Sequence, residues 1–176
     1  GRLSFFEGLY QKDHSPFIAQ WHEADNKWTY YTTQESILIE HTDINAILRI
    51  GSTVYFGTMF GLLYLDLFNQ DWNLINTTNG LKDAAVWDMV EHDGSIYVAT
   101  AQGINEISLL NHSLIPDGDS RYEPLSKFSI YDMEADSEFI YLATNAGLLK
   151  IDWENGNITS ISIKEFRTIK LNKNSI

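Results

Sequence analysis

The sequence predicts an all-β fold, a β-propeller, and three observations carry that prediction. One signature occurs three times: Val54-Tyr-Phe-Gly-Thr58 with Gly61, Ile96-Tyr-Val-Ala-Thr100 with Gly103, and Ile140-Tyr-Leu-Ala-Thr144 with Gly147. Its period lies in the low forties, which suits repeats of four short strands. The apolar runs are rich in β-branched and aromatic residues, and no window shows the i, i+3, i+4, i+7 spacing of a helix.

Composition narrows the possibilities further. Of 176 residues, 44% are hydrophobic and 13% aromatic, enough apolar material for a folded core and against disorder. Acidic residues outnumber basic ones 24 to 12, and a net charge of -12 repels phosphate backbones and anionic lipid head groups. Nucleic acid is therefore not an expected partner. There is no cysteine, which removes disulfides, thiolate zinc sites and cysteine nucleophiles. The most apolar run, 54–68, holds Gly57, Gly61 and Asp66 and falls short of the ~20 residues that span a bilayer. No membrane insertion is expected in this segment. No signal-peptide pattern opens the chain, and Gly1 reads as the start of a fragment.

Taken in order, residues 1–33 read as the outer strands of a truncated blade. Gly8-Leu-Tyr10 resembles Gly61-Leu-Leu-Tyr64, and Asn26-Lys-Trp-Thr-Tyr-Tyr-Thr32 resembles Gln70-Asp-Trp-Asn-Leu-Ile-Asn76, which aligns Trp28 with Trp72. The stretch 11–20 carries His14, Ser15 and Pro16 and is expected to be a long hairpin connection, because proline would break a central strand. A complete blade follows over 44–78, with strands at 44–50, 54–57, 62–67 and 72–76, turns at Gly51-Ser52 and Met59-Phe60-Gly61, and an exit at Asn79-Gly80. Blades over 86–129 and 130–163 repeat the plan. Residues 164–176 are a tail or the start of a further blade, so the whole reads as a single partial β-propeller of about four blades or partial blades of four-stranded antiparallel sheet.

Residue types give the reason. The second strand of each unit is apolar at nearly every position, as a strand buried on both faces must be. The third alternates: Leu62, Ile104 and Leu148, then Leu65, Ile107 and Ile151, are apolar, with Tyr64, Glu106 and Lys150 between. Gly57, Ala99 and Ala143 stand where blades converge. The glycine three residues after each threonine suits a left-handed turn position, across which the threonine can hydrogen-bond.

The units resemble the two-component-regulator propeller repeat. Trp72, Asn79-Gly80-Leu81, Val86-Trp-Asp-Met89, Tyr97-Val-Ala-Thr100 and Gly103-Ile104 match its pattern in order, and the likeness covers most of residues 20–165. It departs where tyrosine replaces the usual tryptophan at all three inner sites, where the third repeat lacks a counterpart of Trp72, and where 34–41 lacks the Gly-Leu turn. The resemblance implies an extracytoplasmic sensor region of a bacterial two-component or hybrid regulator, periplasmic or extracellular. It also implies seven-bladed rings, which need roughly 300 residues, so the chain is expected to be a propeller fragment.

The role expected from this is non-catalytic: ligand sensing or interaction, binding carbohydrate, peptide or a protein partner through loops on one face, with no cofactor and no metal. A protein-protein scaffold and a glycan-cleaving propeller enzyme are the alternatives. Open terminal blades would leave strand edges for self-association. Asn45, Trp87 and Tyr131 occupy one repeat position, just inside the entry to the inner strand, and differ in type while the signature stays constant, as a recognition surface would. The other use of Trp87 and Tyr131 is packing between blades.

Trp28 and Trp72 are expected to be structural. Trp21 and Trp153 have neighbouring carboxylates or amides that suit a sugar platform, although surface packing is the simpler expectation. Pro116-Asp-Gly-Asp-Ser120 offers too few oxygen ligands for a calcium loop and reads as a turn. Asp66 and Asp152 should hydrogen-bond their turns. His14, His22, His41, His92 and His112 show no metal-ligand spacing, and His92 reads as a solvated turn residue.

Overall fold

The computed structural model describes residues 3–9, 16–33, 36–41, 43–115 and 120–171. Four antiparallel sheets follow one another along the chain. The first contains β1 (Leu3–Leu9), β2 (Pro16–His22) and β3 (Lys27–Thr32); the second β4 (Ile44–Ile50), β5 (Thr53–Thr58), β6 (Gly61–Asp66) and β7 (Asp71–Ile75). The third contains β8 (Val86–His92), β9 (Ser95–Thr100) and β10 (Gly103–Ser108), and the fourth β11 (Ile130–Ala135), β12 (Phe139–Thr144), β13 (Gly147–Asp152) and β14 (Ile158–Ser162). Strands β4, β8 and β11 pack on one another, so each of these sheets places its first strand innermost and lies face to face with its neighbour.

Three cores fill the spaces between consecutive sheets, and β5 and β9 each serve two of them. Val54 and Phe56 pack toward the first sheet with Ile18, Tyr31 and Ile39, while Tyr55 points the other way into a core with Val86, Met89, Ile96 and Val98. From β9, Ile96 and Val98 face the second sheet while Tyr97 and Ala99 face the fourth. Every residue of β5 and β9 is buried, as the continuous apolar pattern predicts. Strand β12 departs from this. Phe139 and Tyr141 are half-buried because, among the described residues, no further sheet covers that face of the last blade.

Two expectations need correction. Pro16 is not in a connection: it heads β2, the central strand of the first sheet, opposite Leu9. At the first residue of a strand the missing N–H removes no interior ladder bond. Gly8-Leu9 therefore belongs to β1 and not to a third strand, while β3, with Trp28 opposite Trp21, corresponds to β7, with Trp72 opposite Leu65. Tyr10, His14 and Ser15 lie outside the described residues. The third sheet has three strands, not four. Its outer strand shrinks to one bridge, Ile107 with Leu114, because the chain turns back tightly at His112 (φ 52°) and then leaves for the 3-10 helix Ser120–Leu125. Of the expected turn at 116–120, residues 116–119 lie outside the described residues.

The repeated threonine and glycine form one corner, built three times. Thr58 Oγ1 donates to the Gly61 carbonyl (2.8 Å), Thr100 to Gly103 (2.9 Å) and Thr144 to Gly147 (2.7 Å), and each oxygen accepts a turn N–H from Phe60, Gln102 or Ala146. Gly61 has φ 134° and is overlain by the Ile75 carbonyl, leaving no room for a Cβ. At Gly57 an added Cβ would meet Val86 Cγ1 of the next blade at 2.7 Å, which is the close approach expected of this position.

Gly61→Ala should lower the urea midpoint by the equivalent of roughly 2 kcal/mol or more, through strain and collision together. Thr58→Val, which loses the corner bonds but keeps the volume, should cost about 1–3 kcal/mol. Equilibrium unfolding followed by tryptophan fluorescence measures both.

Candidate functional site

Each inner strand carries one β-bulge, and the bulged residue is in every case the sequence-predicted one. Pairing of β4 with β5 jumps between Ile44 and Ala46, of β8 with β9 between Val86 and Asp88, and of β11 with β12 between Ile130 and Asp132. Asn45, Trp87 and Tyr131 are the residues passed over. A bulge leaves its extra residue out of the ladder and re-aims the side chain, so the second, third and fourth sheets each present one such side chain at the same end. The structure does not bring the three into mutual contact; it sets them on adjacent strands.

Their environments differ. Asn45 is exposed, and its Nδ2 donates to the Val86 carbonyl of the next inner strand (2.9 Å) and lies 3.5 Å from Met59 Sδ. Trp87 is half-buried, and its Nε1 is buried without a hydrogen-bond partner among the described residues. Such an unmet donor costs about 1–3 kcal/mol. Tyr131 is half-buried beneath the Arg167 guanidinium, whose Cζ stands 4.1 Å from the ring centre.

In β8 and β11 the residue after the bulge is an aspartate that ties its strand to the next segment. Asp88 Oδ2 accepts from the Met133 N–H (2.7 Å) and the Asp88 carboxyl shares a hydrogen bond with Asp132; Asp132 Oδ2 in turn accepts from Thr168 Oγ1 (2.7 Å) and the Ile169 N–H (2.6 Å). Burial pushes the Asp88 carboxyl up to about 7, the bond with Asp132 adds to the rise, and the N–H groups of Met133 and Met89 oppose it. At mildly acid pH Asp88 is therefore protonated. Sequence reasoning missed this pair, although Trp87-Asp-Met and Tyr131-Asp-Met stand out as a repeated dipeptide after a varied residue.

The tips of the β5–β6, β9–β10 and β12–β13 hairpins lie at the same end as the bulges, because Ile44 pairs with Thr58, Val86 with Thr100 and Ile130 with Thr144. On this end a cavity of about 200 Å³ opens between the 3-10 helix Ile37–His41 and the first hairpin, lined by Ile37, Leu38, Glu40, Thr58, Phe60, Leu63 and Leu74. Ile37, Met59 and Phe60 are exposed around it. The signal in the sequence was Met59-Phe60 in a turn where the other copies have Ala101-Gln102 and Asn145-Ala146.

At the opposite end the aromatic candidates are occupied. Trp153 stacks on His92 (centroids 4.0 Å, 3° between planes), packs on Tyr97 and donates from Nε1 to the Asp136 carbonyl (3.0 Å), which makes it a clamp between the third and fourth sheets. His92 is therefore not a solvated turn residue. His112 stacks on Tyr64 and shares a 2.7 Å hydrogen bond with the Tyr55 hydroxyl. Trp21 packs on Trp28, and Trp72 on Phe56 and Tyr31. Asp66 and Asp152 accept turn N–H groups as expected. Among the described residues no group of three or more His, Cys, Asp or Glu is placed to hold a metal, and no helix is long and apolar enough to cross a membrane.

Comparison with solved structures shows the fold to be that of a β-propeller segment. The extracellular domain assigned to a hybrid two-component system from B. thetaiotaomicron superposes with a TM-score of 0.61 at 18% identity, over 90% of this chain and 22% of that one. A second such domain from the same organism gives 0.57 at 17% identity, over 82% of this chain and 21% of its own. PorZ, a bacterial surface component of the type-IX secretion system of Porphyromonas gingivalis, gives 0.59 at 10% identity, over 90% and 24%. The chain thus spans less than a quarter of the length of each. No family model matches the sequence, and no curated protein matches it.

Because the Asp88 carboxyl is raised from the ordinary 3.8, its favourable protonated contact is fully present below about pH 4, fades between about pH 4 and 7, and is lost above. The urea midpoint should therefore be higher near pH 5 than near pH 8, by on the order of 1–3 kcal/mol from this pair. Asp88→Asn, which keeps a donor for Asp132 and an acceptor for Met133, should flatten that dependence.

Proposed function

We propose that this chain is a non-catalytic ligand-sensing or interaction segment of an extracytoplasmic β-propeller, periplasmic or extracellular, which binds carbohydrate or peptide through the face that carries Asn45, Trp87 and Tyr131. One observation carries the reading: a repeated bulge presents a different side chain from each blade at the same end of the molecule. Half-buried aromatic rings and an exposed amide are groups that a sugar or peptide backbone engages, and the adjoining apolar cavity has room for one aliphatic or aromatic peptide side chain. The solved extracellular domains of two-component systems with the same fold support the sensing class and the compartment.

A second reading, a protein-interaction scaffold, is favoured by the exposed Ile37, Met59 and Phe60, an apolar patch of the kind that partners cover. An enzymatic reading draws no support from the Asp88–Asp132 pair. Glycosidase carboxyls stand roughly 5–9.5 Å apart across a substrate, whereas Asp88 and Asp132 are hydrogen-bonded to each other and to backbone N–H groups.

Screening the chain against a glycan array and a peptide library should yield a binder. Trp87→Ala and Tyr131→Ala should then each weaken it about tenfold or more, roughly 1.4 kcal/mol, and Phe60→Ala should weaken a peptide but not a glycan. Binding untouched by all three substitutions, or turnover of a captured glycan, would overturn the proposal.

A further inference from the structure

The interfaces between blades are closed in different ways at the end that carries the bulges. Ahead of the third sheet, the connection 80–85 is fastened to the β9–β10 hairpin: Asn105 Oδ1 accepts the Lys82 N–H (3.0 Å) and Gln102 Nε2 donates to Asp83 Oδ2 (3.2 Å). Ahead of the fourth, the Ser129 N–H donates to Asn145 Oδ1 (3.2 Å) and the Asn145 N–H to the Ser129 carbonyl (3.1 Å). Polar hairpin residues hold both connections down.

Ahead of the second sheet the equivalent positions are apolar. Counted from Thr58 and Thr100, Phe60 stands where Gln102 does and Leu63 where Asn105 does, and neither side chain has a hydrogen-bonding group. The 3-10 helix Ile37–His41 packs on β2, β3 and β7, and the cavity of about 200 Å³ stays open between it and the β5–β6 hairpin. All of its walls come from residues 37–74, between the first and second sheets.

The rim of this cavity is acidic. Glu40 lines it and is exposed, Asp43 is exposed at the same end, and the one basic residue in the sequence between residues 28 and 81 is Arg49. Arg49 sits at the other end of β4, where its Nε donates to the Gly51 carbonyl (3.1 Å). Lys82 belongs to the next interface, and its Nζ is buried. An apolar socket beside a carboxylate favours a ligand that places a cation next to a large apolar side chain.

We propose that this cavity receives a large apolar side chain of a basic peptide, whose adjacent Lys or Arg pairs with Glu40. The inference rests on the peptide arm of the function proposed above. The socket carries most of the affinity, because an exposed ion pair contributes little. The charge selects among peptides and speeds their approach to a chain whose formal net charge is -12.

Phage display of random peptides against the chain, run beside the glycan array, supplies the probe, and the selected peptides should carry Phe, Leu or Ile next to Lys or Arg. In fluorescence anisotropy with one such peptide, Ile37→Ala and Phe60→Ala, both at exposed positions, should each weaken binding about fivefold or more, with unchanged far-UV circular dichroism. Glu40→Gln should weaken it about two- to fivefold, and that loss should vanish when the cation of the peptide is replaced by Gln. Selection of peptides without the apolar-cationic pair, or binding that Trp87→Ala weakens but Phe60→Ala and Glu40→Gln leave unchanged, would overturn this inference alone. No binder in either screen would overturn the proposed function with it. A mass in light scattering that rises with concentration and falls back with Phe60→Ala would give the cavity to a second copy of the chain and overturn the inference too.

Discussion

Everything in this molecule depends on burying β5 and β9 on both faces. A strand between two other sheets has no solvent side, so all of its side chains must be apolar or internally bonded. Its backbone must also allow the neighbouring inner strand to come close. Gly57 and Ala99 meet the second demand; Val54, Phe56, Ile96 and Val98 meet the first, at about 1.5–3 kcal/mol for each large side chain buried. The tyrosine in each copy reconciles a large ring with a polar end, and each finds a different acceptor or partner: His112 for Tyr55, Glu106 for Tyr97, Asp136 for Tyr141. Burial then raises the Tyr55 hydroxyl to about 12, so this ring stays neutral inside its interface.

That constraint separates the positions that hold the fold from those free to act. The threonine-glycine corner and the second strand are constant because packing allows little else. The bulge is constant as a backbone feature but imposes nothing on the residue that occupies it, and Asn45, Trp87 and Tyr131 are accordingly unlike one another. Asp88 and Asp132, one step further along, return to a structural duty: Asp88 binds β8 to β11, and Asp132 binds β11 to residues 168–169.

The blades were legible in the sequence because they repeat, and repetition reveals what packing demands. The bulge position was legible for the complementary reason, as variation inside a constant frame, although the bulge itself is a register effect with no residue signature. Pro16 misled because its cost depends on where in a strand it falls, which composition does not disclose. The outer strand of the third blade failed because outer strands are half-exposed and weakly patterned. The clamp of His92 on Trp153, the cavity beside Phe60 and the Asp88–Asp132 pair join residues from different blades, and such pairings are set by stacking geometry and not by neighbours along the chain.

Native-state hydrogen exchange tests the central claim most directly. If double-sided burial holds the molecule together, the paired amides of β5 and β9 should exchange only through global unfolding, and those of the outer strands β7 and β14 through local opening at markedly lower free energy. Exchange in β5 and β9 no slower than in β7 and β14 would contradict the account.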